Sequence, residues 1–485
     1  MDIIMDEKIV ANETATKKEF PLIKLLKSPH KHYFYDTNKN QIQEISGGLY
    51  RALRNWKITG QSTIDRASLE EMQELSAEGF FANNRVKEII HPLTPFLQEY
   101  QQRKVRDITL QVTQQCNLRC AYCIYSQEKS ERQRNHSDAR MSYEMAQKAI
   151  DFLIEHSVDN EEVYIGFYGG EPLLEFELIR QVVGYAEEVC RGKKIVYAIT
   201  TNATLITDAI IDFLVEHKFQ IIISLDGSEK THDKNRRFAA NGQGTYKTVI
   251  KNLRILVGRY PEYQHNLSIN MVIDPQEKDD DAGRMFSADD ELKKVSISTS
   301  VIDDIFSQEK NKYNEDFIAD RNYDLFLTFL EYLGISSGKE ISPDSKNILI
   351  ESVKKMQMLG PSERLPEQSA PSGQCLPGIT RLLVTTDGTF YPCERVSERS
   401  AIMQIGSLAT GFDHEKSGRL LNCATITAKM CKGCWAFRLC DVCAKYSEYN
   451  GKFDEETRAR RCKYTQQACK DKLLDIIMLD EMSGV

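Results

Sequence analysis

The sequence predicts an α/β fold: a parallel sheet curled into an open or closed barrel, with a differently composed segment on either side. Three observations carry this. Between Asp107 and Ile273 short apolar strands alternate with amphipathic helices, the pattern of βαβ units joined by right-handed crossovers. The first hundred residues read instead as a hairpin with two helices. The last quarter sets seven of its nine cysteines, between Cys375 and Cys462, into a pattern.

The elements follow in order. Residues 32–45 alternate around the Asn-rich turn of a hairpin, and residues 49–56 and 68–78 have the apolar spacing of amphipathic helices. Residues 107–112 form a strand that delivers Cys116 into the next loop. A polar, basic loop of about 17 residues follows, and Ser142 then caps a helix with Met145, Ala149, Ile150 and Leu153 on one face. Further strands are expected at 163–168, 194–199, 220–225 and 267–273, with helices at 208–217 and from Thr245. Ile210, Ile211, Phe213 and Leu214 are core. Chemistry in such sheets gathers at the carboxyl ends of the strands.

The 485 residues are 41% hydrophobic and 28% charged, with a net charge of −8. A negative balance excludes an electrostatic case for nucleic acid, and no apolar run approaches a membrane span. The start, Met1 to Glu7, is acidic and lacks a signal-peptide pattern, so a cytoplasmic location is expected. The 13 cysteines are odd in number and clustered, which in a reducing compartment favours metal ligation over disulfides.

Cys116, Cys120 and Cys123 sit in the run Cys116-Asn117-Leu118-Arg119-Cys120-Ala121-Tyr122-Cys123. A four-iron cluster normally takes four thiolates. Three, with no fourth cysteine or histidine nearby, leave one iron open. The alternative, structural zinc, is closed by four ligands and usually built from two separated pairs. The run resembles the Cys-x3-Cys-x2-Cys motif of the radical S-adenosylmethionine enzymes, with Tyr122 as the aromatic before the last cysteine. That resemblance implies a partial (β/α)6 TIM barrel, a 4Fe-4S cluster on the three thiolates, and S-adenosyl-L-methionine on the open iron. Its cleavage to a 5′-deoxyadenosyl radical would remove a substrate hydrogen, the protein supplying binding, orientation and exclusion of water.

Gly169-Gly170-Glu171-Pro172 follows the next strand. Its glycines permit close backbone approach to a ligand, and Glu171 offers an acceptor for an ammonium group. A plain strand-to-helix turn with Pro172 at the helix start accounts for the same residues. The stretch resembles the family's Gly-Gly-Glu-Pro motif, which implies that Gly169, Gly170 and Glu171 hold the cofactor amino group. Ser224-Leu225-Asp226-Gly227 with His232 to Arg236 resembles a stretch of peptide-modifying members. It implies Ser224 and Arg236 at the cofactor carboxylate, Arg236 through a charge-assisted pair, with solvated loop residues as the alternative. Asn202, past the intervening strand, joins this set.

The second cysteine field resembles the SPASM extension of radical S-adenosylmethionine peptide maturases, which binds two auxiliary 4Fe-4S clusters. Carried over, Cys375, Cys393 and Cys443 would bind the first, and Cys431, Cys434, Cys440 and Cys462 the second, making three clusters in all. The last gap of the dense run is two residues here, where the common pattern has three. The first cluster lacks a fourth protein ligand, and a soft open iron suits a substrate thiolate; Cys423 is the rival ligand. Cys190 and Cys469 read as packed free thiols. Taken alone, Cys431, Cys434, Cys440 and Cys443 suit one tetrahedral zinc, but the leftover ligands and the upstream triad argue against it. Glu394, after Cys393, stands where sulfatase-maturing relatives carry a base, with second-shell hydrogen bonding as the alternative.

The front unit resembles the winged-helix-like α+β element that many ribosomal-peptide maturases use to pair a leader peptide as an added strand; a non-binding cap is the alternative. The expected organisation is leader recognition over 1–100, barrel over 101–310, a helical bridge over 311–374 and the auxiliary-cluster domain over 375–485. Within the family the thioether-forming sactipeptide and ranthipeptide maturases look most similar. A ribosomally synthesised Cys-rich precursor peptide and a reductant such as flavodoxin or ferredoxin are the implied partners, with no nucleic acid and no membrane. Formylglycine-forming, epimerising or carbon–carbon crosslinking enzymes, and a non-catalytic iron–sulfur or zinc peptide-binding protein, are the alternatives.

Overall fold

The computed structural model describes residues 20–483, apart from 61–62, 127–131, 277–285, 287–288, 308–309, 336–337 and 339–340. The acidic amino-terminal stretch and five residues of the loop after Cys123 lie outside the described residues.

A ten-stranded sheet organises the chain. Its centre is β4 (Asp107–Thr113), β5 (Glu162–Gly169), β6 (Lys194–Thr201), β7 (Gln220–Ser224), β8 (Leu267–Ile273) and β9 (Ser296–Val301), neighbours in that order and all parallel. The crossovers carry α3 (Tyr143–His156), α4 (Phe176–Val189), α5 (Asp208–Glu216), α6 (Glu229–Asn235) and α7 (Tyr246–Arg259). β5 alternates buried and half-buried residues without a break, while β4 buries Ile108 and every residue from Leu110 to Thr113, as a strand covered on both faces must. Ile150, Leu153, Ile179, Ile211 and Leu214 reach from the helices into this core, none exposed by more than 1%. Each such side chain stabilises the fold by about 1.5–3 kcal/mol. Ser142 caps α3 as expected, accepting from Met145 N, and Thr207 does the same for α5.

Two strands of the parallel sheet escaped the sequence pattern. β9, Ser-Ile-Ser-Thr-Ser-Val, has small polar residues where a strand signal wants bulk. β10 (Leu382–Val384) pairs parallel with β4, Leu382 opposite Ile108, covering what would otherwise be an exposed edge. Antiparallel β11 (Thr389–Tyr391), β12 (Gly406–Ser407) and β13 (Gly411–Phe412) continue from it. Two helices, α8 (Glu315–Tyr332) and α9 (Pro343–Met358), fill the stretch between β9 and β10, and α10 (Glu455–Ser483) ends the described chain.

The front unit is a separate sheet of β1 (Ile23–Lys27), β2 (His32–Asp36) and β3 (Gln41–Ile45), with α1 (Gly47–Thr59) and α2 (Arg66–Ala77) on one face. The hairpin and both helices stand where the pattern puts them; β1 does not alternate and was not foreseen. The other face packs Leu26, Tyr33 and Tyr35 on Leu473 and Ile477 of α10. Thr37 Oγ1 donates to Trp435 O at 2.6 Å, and Arg438 Nε donates back to Thr37 O at 2.7 Å. The front sheet therefore rests on the cysteine-rich region. No helix among the described residues is long and apolar enough to cross a membrane.

Candidate active site

The carboxyl ends of β4 to β7 deliver one residue group each to the same end of the barrel. Cys116 to Cys123 follow β4, Gly170 and Glu171 follow β5, Asn202 follows β6, and Asp226 follows β7. A cavity of about 2670 Å³ opens here, lined by Cys116, Cys120, Tyr122, Cys123, Gly170, Glu171, Asn202, Ser224 and Arg236.

The triad loop is held from several sides. Asn202 Nδ2 donates to Asn117 Oδ1 at 2.9 Å, and Asn117 Nδ2 donates to Thr204 Oγ1 at 2.8 Å. The backbone amides of Arg119 and Ala121 donate to the carbonyls of Arg237 and Asn235, each at 2.9 Å. Asn202 thus braces the cysteine loop with its side chain.

The two glycines also admit a close approach of the chain's own backbone. A Cβ on Gly169 would stand 2.1 Å from Thr113 O, and one on Gly170 would stand 2.0 Å from Gln115 O. Gly169 also sits at φ +146, open to glycine and strained for other residues. What approaches closely is the backbone that leads into Cys116. Gly170 N donates to Thr113 O and Glu171 N to Gln115 O, both at 2.9 Å.

Glu171 is 1% exposed. Its Oε1 accepts from Thr201 Oγ1 at 2.6 Å and Leu173 N at 3.1 Å, and its Oε2 from Asn202 N at 2.7 Å. Burial pushes its carboxyl up to about 7 despite these donors. An ionised carboxylate has about four lone-pair sites, so one remains on Oε2. Arg236 Nε donates to Asp226 Oδ2 at 2.8 Å, both side chains buried, and Tyr122 Oη donates to the same oxygen. Asp226 Oδ1 accepts from Val272 N at 2.9 Å. Asp226, the residue that fixes Arg236 and Tyr122, was quoted in its motif but not singled out. Its signal was a carboxylate two residues past a strand end.

The buried thiols influence one another, and Cys423, the rival ligand, feels Cys443 as well. Burial pushes Cys116 up to about 12, with Glu171, Cys120 and Cys123 adding to the rise. Burial raises Cys375 and Cys393, and each also feels Cys443. Burial likewise raises Cys434, Cys440 and Cys462; Cys434 feels Cys431 and Cys462, and Cys440 feels Cys434 and Cys462. Cys375, Cys393, Cys440 and Cys443 line the same cavity as the triad. Cys423 is 1% exposed and set back from the cavity, its sulfur 3.6 Å from Arg458 Nη1. Cys190 and Cys469 are buried. Among the described residues no three His, Cys, Asp or Glu side chains are gathered as closely as a single metal ion needs.

Glu394 lines the cavity and is held by Arg381, whose Nη1 donates to Oε1 at 2.9 Å and to Oε2 at 3.2 Å. Arg381 heads β10 beside Asp107, which burial pushes up to about 6. Sequence reading missed Arg381, whose partner comes from a hairpin it could not see.

Residues 110–287 match the Radical SAM superfamily. The chain is 29% identical over 238 residues to the radical SAM cyclopropyl synthase TigE of Paramaledivibacter caminithermalis, covering 44% of this chain and 48% of that protein. It is 24% identical over 336 residues to a cysteine-type anaerobic sulfatase-maturating enzyme of Clostridium perfringens, covering 67% and 84%. The solved structure described as native anSMEcpe with bound AdoMet and Kp18Cys peptide superposes with a TM-score of 0.55 at 20% identity, over 76% of this chain and 99% of that one; that likeness is one of fold. The chain spans about half the length of the first curated relatives it matches. With the parallel sheet and the cysteine loop past its first barrel strand, these findings establish that the chain carries a Radical SAM domain.

Proposed function

We propose that the protein is a radical S-adenosylmethionine peptide maturase that joins cysteine sulfur of a ribosomally made, Cys-rich precursor to a carbon of an acceptor residue, forming thioethers. The observation that carries this reading is the pair of three-thiol sets on one cavity. Cys116, Cys120 and Cys123 would hold one 4Fe-4S cluster, and Cys431, Cys434, Cys440 and Cys462 a second, fully ligated one. Cys375, Cys393 and Cys443 would hold a third whose open corner faces the cavity, with Cys423 set back. Soft, thiolate-ligated iron suits a substrate thiolate there.

When bound, the first cluster and S-adenosylmethionine supply radical chemistry that removes a substrate hydrogen. The chain's own residues bind and orient. Glu171 has one Oε2 lone-pair site for the cofactor ammonium, Arg236 is aimed by Asp226, and Tyr122, Ser224, Gly169 and Gly170 complete the wall. Small-molecule pockets run about 300–1,000 Å³; this cavity, about 2670 Å³, has room for a cofactor and a peptide segment together. A sulfatase-maturating relative and a solved relative with a bound peptide support a polypeptide substrate. The front unit would add the leader to the outer edge of β3, which pairs only with β2 among the described residues. A cytoplasmic setting and a flavodoxin or ferredoxin reductant complete the reading.

A second reading, formylglycine formation, is favoured by the 336-residue likeness to the sulfatase-maturating enzyme and would use Glu394 as base. Arg381 engages both oxygens of that carboxylate, which suits a positioned acceptor better than a free base. Anaerobic coexpression with a Cys-rich precursor, followed by mass spectrometry, separates the two. Loss of two hydrogens per cysteine with the thiol blocked is the expected result; loss of sulfur from the peptide would refute the thioether reading.

A further inference from the structure

Among the described residues Arg458 is the largest fully buried side chain, at 0% exposure. It lies on the first turns of α10, four residues before Cys462. A guanidinium does not lose its proton in a protein, so a full positive charge is enclosed here. Its partners are all neutral. Nε donates to Thr427 Oγ1 at 3.1 Å, and Nη1 donates to Ser447 Oγ at 2.7 Å, Val442 O at 3.5 Å and Cys423 Sγ at 3.6 Å. Nη2 meets Gln374 Oε1 at 3.3 Å in the amide orientation that satisfies both ends of that side chain. No carboxylate among the described residues lies within ion-pair distance.

Enclosing a charge without a counter-charge is among the costliest things a fold can do. Buried Arg236 follows that rule, paired with Asp226, and half-buried Arg134 is paired with Glu398. The anion that balances Arg458 is therefore to be sought among the groups its field reaches. The nearest are Cys423 Sγ at 3.6 Å and Cys462, four residues on along the same face of α10.

We infer that Arg458 is the resident counter-cation of the cluster on Cys431, Cys434, Cys440 and Cys462, and that its charge raises the reduction potential of that cluster. This rests on the proposed reading that those thiols hold a cluster. A four-iron cube with four thiolates is anionic, and net charge and nearby dipoles set its potential. A cation enclosed beside it stabilises the reduced, more negative form. Arg458 acts through the cluster and is a positioning residue.

The test is a redox titration, followed by electron paramagnetic resonance, of full-length protein with Cys116, Cys120 and Cys123 replaced by alanine so that only auxiliary clusters respond. Arg458→Met should shift one auxiliary potential to a more negative value, and Arg458→Lys, which keeps the charge and loses the fork, should hold it near the parent. If the Met variant instead fails to load about four irons while Lys loads them, the charge role stands. Equal loss of iron in both variants would make Arg458 a hydrogen-bond hub and overturn the inference. Full loading with an unmoved potential in Arg458→Met would overturn it as well, leaving the cluster reading intact. Absence of auxiliary iron from the parent would remove the cluster reading and this inference with it.

Discussion

Replacing Gly170 by alanine asks whether the Gly-Gly-Glu-Pro turn exists to seat the cysteine loop. The new Cβ would stand 2.0 Å from Gln115 O, 2.4 Å from Gln115 C and 3.0 Å from Cys116 N. All three are backbone atoms, so no side chain can swing away. The β4 and β5 ends must part by about 1 Å, an overpacking strain of about 1–3 kcal/mol. The hydrogen bonds Gly170 N to Thr113 O and Glu171 N to Gln115 O lengthen with them, at about 0.5–1.5 kcal/mol each. Gly170→Ala should therefore lose roughly 2–6 kcal/mol in denaturant unfolding and load less iron, because Cys116 moves with its neighbour. Gly184→Ala is the control: it is exposed in the middle of α4 with nothing within 4 Å of the added Cβ, and should gain about 0.5–1 kcal/mol. A Gly170→Ala protein as stable and as iron-loaded as the parent would refute the packing argument.

Asp226→Asn should cost about 3–5 kcal/mol by leaving the Arg236 charge buried and unpaired, and calorimetry should show weaker cofactor binding; unchanged binding would separate Arg236 from the cofactor. Glu171 holds its proton more tightly folded than unfolded, with a pKa of about 7 against 4.5. Its contribution to stability is therefore full below the unfolded value and lost as pH rises through about 7, by about 3 kcal/mol. Unfolding measured across that window should flatten in Glu171→Gln, and an identical slope would place the titration elsewhere. Cys423→Ala should leave iron content unchanged, since its sulfur already meets Arg458 Nη1 at 3.6 Å; a loss of about four irons would make it a ligand.

Much of the barrel was legible because each expected strand carried apolar residues of its own. β9 was hidden by serine and threonine, and β10 by its three-residue length, both strands being defined by the neighbours they pair with. The site divides the same way. Cysteine spacing is a local signal, so the two cysteine fields stand out before any fold is known, while their division into ligand sets is what the family resemblance implies. Asp226, Arg381 and Arg458 earn their roles from partners distant in sequence, and no spacing announces a buried charge. Gly169 and Gly170 were visible, but their neighbour was not: the backbone they admit belongs to the chain itself.

The central claim is that Cys116, Cys120 and Cys123 hold a four-iron cluster that a small ligand completes. Iron and sulfide analysis of anaerobically purified protein, with and without those three residues replaced by alanine, tests it most directly. The account predicts about twelve irons per chain in the parent and about four fewer in the variant, with 5′-deoxyadenosine formed only by the parent. Zinc in place of iron, or 5′-deoxyadenosine formed by the variant, would contradict it.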